Sequence, residues 1–199
     1  MVVNDDLDFN KQMLFLIEID KLKSIERRTK LINGSRQEND AEHSWHLAVM
    51  GLILHQYSNQ EVDLFKVIKM LLIHDIVEID AGDTFAYDST GHLDKFDREQ
   101  RAATRIFGLL PEHQGAELID LWLEYDRKET NEAKFAASLD SLQPLIHNHL
   151  NQGETWKKND ITSDTVLDRN CKIAKGSERL WEYAQEMIEK SVEQGFLSK

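Results

Sequence analysis

The segment "MLLIHDIVEID", residues 70–80, constrains the fold more than any other stretch: it sets His74, Asp75 and Glu78 inside an otherwise apolar run. Such a run belongs in a core, where an ionised carboxylate is unfavourable unless a cation or strong hydrogen bonds compensate it. Asp75 therefore needs a partner. The same conflict recurs at Asp140, which follows Ala136, Ala137 and Leu139 and precedes Leu142. Any fold for this chain must bring compensation to two buried carboxylates.

Apolar residues recur at three- and four-residue steps almost throughout, and only 2 Pro and 9 Gly interrupt the 199 residues. This pattern predicts an all-α fold of six or more helices with no convincing strand. Helices are expected at about 8–24, 40–57, 63–80, 94–108, 111–126, 131–149 and 177–193. The first carries Phe9, Met13, Leu16 and Leu22 among its apolar positions. Asp63 suits an N-cap, and Gly82 and Gly195 suit helix stops. Pro144 has no N–H for the Asp140 carbonyl, so a kink is expected there. The segment "IERRTKLINGSRQEND" has loop character, and "GDTFAYDSTGHL" reads as the longest loop, a place for a substrate-contacting lid. One domain is expected over 1–199, with a core at about 10–150 and a C-terminal helical extension at about 151–199.

A net charge of −12 without a Lys/Arg cluster argues against a polymeric nucleic-acid partner. No apolar run approaches the roughly 18 residues of a membrane span, so no membrane partner is expected. A single cysteine, Cys171, and the lack of a basic, apolar leader point to a reducing compartment, the cytoplasm.

Imidazole and carboxylate together suit a first-row divalent ion. The residues that assemble into a tetrad are His43 from "AEHSWH", the pair His74 and Asp75, and Asp140 from "AASLDSLQPL". Glu78, one helical turn after His74, is spaced better for proton transfer than for ligation, and Asp83 reaches the same region from just beyond the helix. An isolated His-Asp pair is more often a hydrogen-bonded core pair. The addition of Glu78, Asp83, His43 and Asp140 reverses that preference. "EHSWH" is not the zinc-protease HExxH, because its Glu precedes the first His. His46 reads as a core histidine, and His147 and His149 as surface residues at a helix end.

The order H…HD…D, with HDxxExxxxD realised as "HDIVEIDAGD", resembles the HD-domain metal-dependent phosphohydrolases, specifically the branch containing bacterial 5'-deoxynucleotidases and their eukaryotic relatives. "RQENDAEHS" and "LLPEHQGAELIDLWLEYDRKETNEAKFAASLD" are similar to this branch as well, so the resemblance covers most of residues 10–150. It implies an HD-domain helical bundle in which His43, His74, Asp75 and Asp140 hold one divalent ion: manganese, cobalt or magnesium. It implies that Glu78 and Asp83 handle the attacking water and the leaving-group proton, and that Arg28, followed by Thr29, binds the substrate phosphate. The Trp that the family places beside that Arg is absent, Thr29, Lys30 and Leu31 standing there instead, so no deoxyribose preference is implied. The expected substrate is a nucleoside or deoxynucleoside 5'-monophosphate and the expected assembly a homodimer. The alternatives are a nucleoside triphosphate or cyclic-nucleotide phosphohydrolase on the same fold, and a non-catalytic metal-dependent nucleotide sensor.

Overall fold

A computed structural model describes residues 5–88 and 90–199 of the chain. In chain order, α1 (Asp5–Glu18) passes through a 3-10 turn into an antiparallel ribbon of β1 (Glu26–Lys30) and β2 (Gln37–Asn39), followed by α2 (Asp40–Leu54) and α3 (Leu64–Ile73). Then come α4 (Glu78–Ala81), α5 (Lys95–Phe107), α6 (Glu112–Arg127) and α7 (Asn131–Leu150). The chain continues with α8 (Glu154–Lys158), α9 (Ser163–Asn170), α10 (Ile173–Gly176) and α11 (Glu178–Glu193). The architecture is the expected all-α one, with α7 at its centre, packed by α2, α3, α6, α10 and α11. Among the described residues no helix is long and apolar enough to cross a membrane.

Local chemistry accounts for the helix starts. Asn39 and Glu42 form a reciprocal capping box on α2, Asp63 accepts from the Phe65 and Lys66 amides at α3, and Ser177 accepts from the Leu180 amide at α11. Gly195, at φ 69°, ends the last helix, with the Phe196 amide returning to the Ser191 carbonyl. This is a Schellman-type closure. α7 runs on through Pro144, so the loss of that N–H does not end the helix.

Several expectations need correction. The ribbon was read as loop because Glu26–Lys30 is all polar; its inward residues meet charged groups and not an apolar core, so no apolar alternation marks it. The helix expected over 63–80 stops at Ile73, and His74–Val77 forms turns closed by three-residue bonds such as the Glu78 amide to the Asp75 carbonyl. Phe9, Met13 and Leu16 of α1 are exposed, while Phe15 of α1 and Leu22 of the 3-10 turn join the core. Residues 151–176 hold three short helices that periodicity did not predict.

α10 approaches α7 closely. The Ser138 hydroxyl donates to the Ile173 carbonyl, and a methyl group at Gly176 would collide with the Lys134 carbonyl oxygen. Backbone cannot yield there as a flexible side chain would. Gly176→Ala is expected to destabilise the chain by about 3 kcal/mol, the upper end for overpacking, as measured by chemical denaturation.

Candidate metal centre and its cavity

Three elements bring the sequence-expected tetrad together: α2 carries His43, the turn after α3 carries His74 and Asp75, and α7 carries Asp140. His43 Nε2 lies 3.0 Å from Asp140 Oδ1 and 3.9 Å from Asp75 Oδ2. His74 Nε2 lies 3.2 Å from Asp75 Oδ1 and 3.8 Å from Asp140 Oδ1. Ending α3 at Ile73 lets consecutive residues His74 and Asp75 point into one space.

The hydrogen bonds on the far side of each ring decide what this space holds. His74 Nδ1 is 3.0 Å from the Leu71 carbonyl, which can only accept, so His74 Nδ1 carries the proton and Nε2 a lone pair. His74 Nε2 is buried and has no hydrogen-bond partner among the described residues. His43 Nδ1 is 3.2 Å from Gln143 Oε1, and Gln143 is fixed in that orientation because its Nε2 donates to Glu38 Oε1 at 2.7 Å. His43 Nε2 is thus also turned toward carboxylate oxygen. Two imidazole lone pairs facing two carboxylates form a set of acceptors without a donor, the composition that a divalent cation requires.

Ionisation follows the same geometry. Burial opposes the charge on Asp140, yet the facing His43 and His74 rings outweigh it and hold Asp140 well below the usual carboxylate range. Burial also opposes the charge on Asp75, and His74 and Arg27 overcome it, lowering its pKa. The Tyr125 hydroxyl donates to Asp140 Oδ2 at 2.9 Å and fixes that carboxylate's orientation. Around the metal-free centre, burial lowers the proton affinity of His43, but Asp140 and Glu38 raise its pKa to about 9, so without a metal a proton on His43 takes the place of the cation, and the acceptor-only set is that of the deprotonated ring.

Glu78 is 3% exposed and its Oε2 has no partner among the described residues. Burial, then Asp75 and Asp40, push its pKa well above the ordinary value, with Lys95 Nζ 3.6 Å away as the opposing cation. Asp83 is raised too, chiefly by burial. Both border a cavity of about 410 Å³, within the range of small-molecule sites. His74, Asp75 and Asp140 also border it, as do Phe85 and Tyr87 of the "GDTFAYDSTGHL" segment.

Arg28 and Thr29 both border this cavity, Arg28 exposed and Thr29 buried. Arg28 makes no ion pair among the described residues. The sequence reading missed its neighbour. Arg27 Nη1 lies 2.9 Å from Asp75 Oδ2 and 3.2 Å from Asp40 Oδ1, a built-in cation beside the tetrad. A strand assignment would have placed Arg27 and Thr29 on one face and Arg28 on the other.

His147, expected at the surface, is 2% exposed. Its Nδ1 donates to the Lys30 carbonyl at 2.9 Å, and its Nε2 lies 3.2 Å from Gln143 Nε2. Glu38, His46 and His147 come within 4.8 Å of one another, but the Gln143 amide sits among them, so they read as its supports. Asp140, Gln143 and His147 lie three and four residues apart on one face of α7, a spacing that could have revealed this relay.

Residues 19–181 match the family model of the HD domain. The chain belongs to the HD-domain family. It is 32% identical over 133 residues to the 5'-deoxynucleotidase HDDC2 of Dictyostelium discoideum, covering 63% of this chain and 70% of the relative. The protein of the same name from Homo sapiens is 30% identical over 133 residues, covering 66% of this chain and 64% of the relative. The chain thus spans about two thirds of the length of these curated relatives. A crystal structure of a predicted metal-dependent phosphohydrolase from Magnetospirillum magnetotacticum MS-1 is 48% identical, with a TM-score of 0.94 over 100% of both chains.

Two outcomes follow for the HD-domain centre. Gln143→Met removes the acceptor that fixes the His43 tautomer, and is expected to weaken metal affinity about 10–100-fold in a competition titration. In chelated protein, burial and Asp75 raise the Asp40 pKa to about 7 despite Arg27. The folded value lies above the unfolded one, so the stabilisation is present at low pH and is lost as pH rises through about 7. The melting temperature of the chelated chain should fall between pH 5 and pH 8, and Asp40→Asn should flatten that slope.

Proposed function

We propose that this HD-domain protein is a metal-dependent phosphohydrolase that cleaves the phosphomonoester of a nucleoside or deoxynucleoside 5'-monophosphate and releases orthophosphate. The observation that carries this reading is the acceptor-only cluster of His43, His74, Asp75 and Asp140 opening on a cavity that also presents Glu78, Asp83 and an unpaired Arg28. The names of the curated relatives supply the nucleotide.

In this reading the four cluster residues hold one divalent ion: manganese, cobalt or magnesium. That ion supplies the positive charge that polarises a phosphate oxygen and acidifies water. Arg28 offers a planar pair of donors to the phosphate oxygens, with Thr29 beside it. Water attacks phosphorus, the bond from phosphorus to the 5'-oxygen breaks, and the nucleoside leaves as an alcohol. Glu78 and Asp83 take the proton from the attacking water and return one to the departing oxygen. Their pKa values, raised chiefly by burial, suit groups that hold and release protons in the site.

The protein is further proposed to act in the cytoplasm, as a single domain and as a homodimer. Support for the dimer comes from α2, where Trp45, Val49, Leu52 and Ile53 recur on one face and are exposed, Trp45 by 65% and Ile53 by 66%.

Purified protein loaded separately with manganese, cobalt and magnesium is expected to release orthophosphate from nucleoside 5'-monophosphates. Release of pyrophosphate, triphosphate or a ring-opened cyclic nucleotide would replace this reading by another on the same fold. Glu78→Gln is expected to lower the rate by several orders of magnitude with metal content unchanged, as checked by elemental analysis. An unaffected Glu78→Gln protein would point to a non-catalytic sensor.

A further inference from the structure

The cavity has a second wall that the nucleotidase reading does not use. It is built by the C-terminal segment, which contributes Thr155, Arg169, Asn170 and Lys172. Lys172 caps the start of α10, and α10 is held against α7 near Ser138, so the anchoring of Lys172 is independent of the ribbon that carries Arg28.

Neither Lys172 nor Arg169 makes an ion pair or a side-chain hydrogen bond among the described residues. Both are only partly exposed, and the space they face is the cavity. The contrast with the other cations is informative. Lys95 is paired with Glu99 at 2.6 Å, and Arg27 with Asp75 at 2.9 Å, although both also border the cavity. Burial and the neighbouring Arg169 lower the Lys172 pKa to about 8, with Asp140 opposing them. An ammonium held this way, next to a like charge and without a counterion, is unfavourable in the empty cavity and favourable once an anion enters. Asp140 belongs to the tetrad, so Lys172 is close enough to the metal centre for its charge to be felt there.

A phosphomonoester dianion entering this cavity meets Asp75, Glu78, Asp83, Glu99, Asp126 and Asp140, in a chain of net charge −12. Arg28 and Lys128, the other lining cations without an ion pair among the described residues, are a small counterweight. We propose that Lys172 and Arg169 form an anion subsite on the C-terminal wall of the cavity, which binds the phosphoryl group of the substrate and retains the orthophosphate product. This rests on the nucleotidase reading for the identity of the anion. It gives residues 151–199 a role in the site: they supply the cations that the helices bearing the tetrad lack.

The test uses the full-length chain loaded with manganese and inorganic phosphate as the probe, with binding followed by calorimetry. Lys172→Met and Arg169→Gln are each expected to weaken phosphate binding about tenfold or more, the loss of one charge-assisted hydrogen bond, with manganese content unchanged. Lys172→Arg is expected to retain most of the affinity. With nucleotide, the Met and Gln variants should raise KM more than they lower kcat. Phosphate affinity within twofold of the parent in both variants, with melting temperature and manganese content preserved, would overturn the subsite. Should Lys172→Met fail to fold, Arg169→Gln alone decides. Lys172-dependent phosphate binding in a protein that turns over no nucleotide would keep the subsite and remove the nucleotidase reading.

Discussion

Everything in this molecule is arranged around four acceptors that face one another with no donor between them. The Leu71 carbonyl and Gln143 Oε1 take the Nδ1 protons of His74 and His43, so both Nε2 lone pairs meet the carboxylates of Asp75 and Asp140. In a protein interior such an assembly needs positive charge beside it, which Arg27 against Asp75 supplies only in part. The scaffold holds three of the four members next to a buried leucine: Leu47 one turn from His43, Leu71 one turn before His74, and Leu139 beside Asp140, all 0% exposed. The hydrophobic core is therefore also the frame that keeps like groups within coordination distance.

The centre was legible in the sequence because it violates a local rule. Asp75 and Asp140 are carboxylates at positions whose neighbours are core residues, and a helical protein has few reasons to place them there. Helix starts were legible at Asp63 and Ser177, where a side-chain acceptor precedes an apolar periodic stretch. The stop after Ile73 was not, since Ile76, Val77 and Ile79 extend the apolar pattern through a segment that is in fact turned. Nor was the ribbon: its inward side chains bind charges, so hydrophobic alternation is missing although the backbone is extended. Because that strand went unread, Arg27 and Arg28 could not be assigned to opposite faces, and the arginine that bonds Asp75 was overlooked.

The C-terminal portion escaped sequence reading for a different reason. α8, α9 and α10 have 5, 8 and 4 residues, too short to show an apolar stripe or to form without tertiary support. Their support comes from α7 for α8 and α10 and from α11 for α9, and their contribution is made in three dimensions, as one wall of the cavity. Global charge was equally uninformative about that wall. A net charge of −12 describes the outer surface well, yet it conceals a cavity in which Arg28, Arg169 and Lys172 are left without carboxylate partners among the described residues.

The bond from His147 to the Lys30 carbonyl joins the ribbon to the metal centre by a path of three side chains, His147, Gln143 and His43. Lys30 is two residues from Arg28 on the same strand. Under the proposed function, a shift of the ribbon on engaging an anion would be a shift in the support of His43, a proposed metal ligand, and thermodynamic linkage would make the influence mutual. Whatever factor the ion contributes to anion affinity, the anion returns to ion affinity. With a favourable coupling, a filled cleft would hold the ion more firmly, and occupancy of the cleft and retention of the ion would rise together.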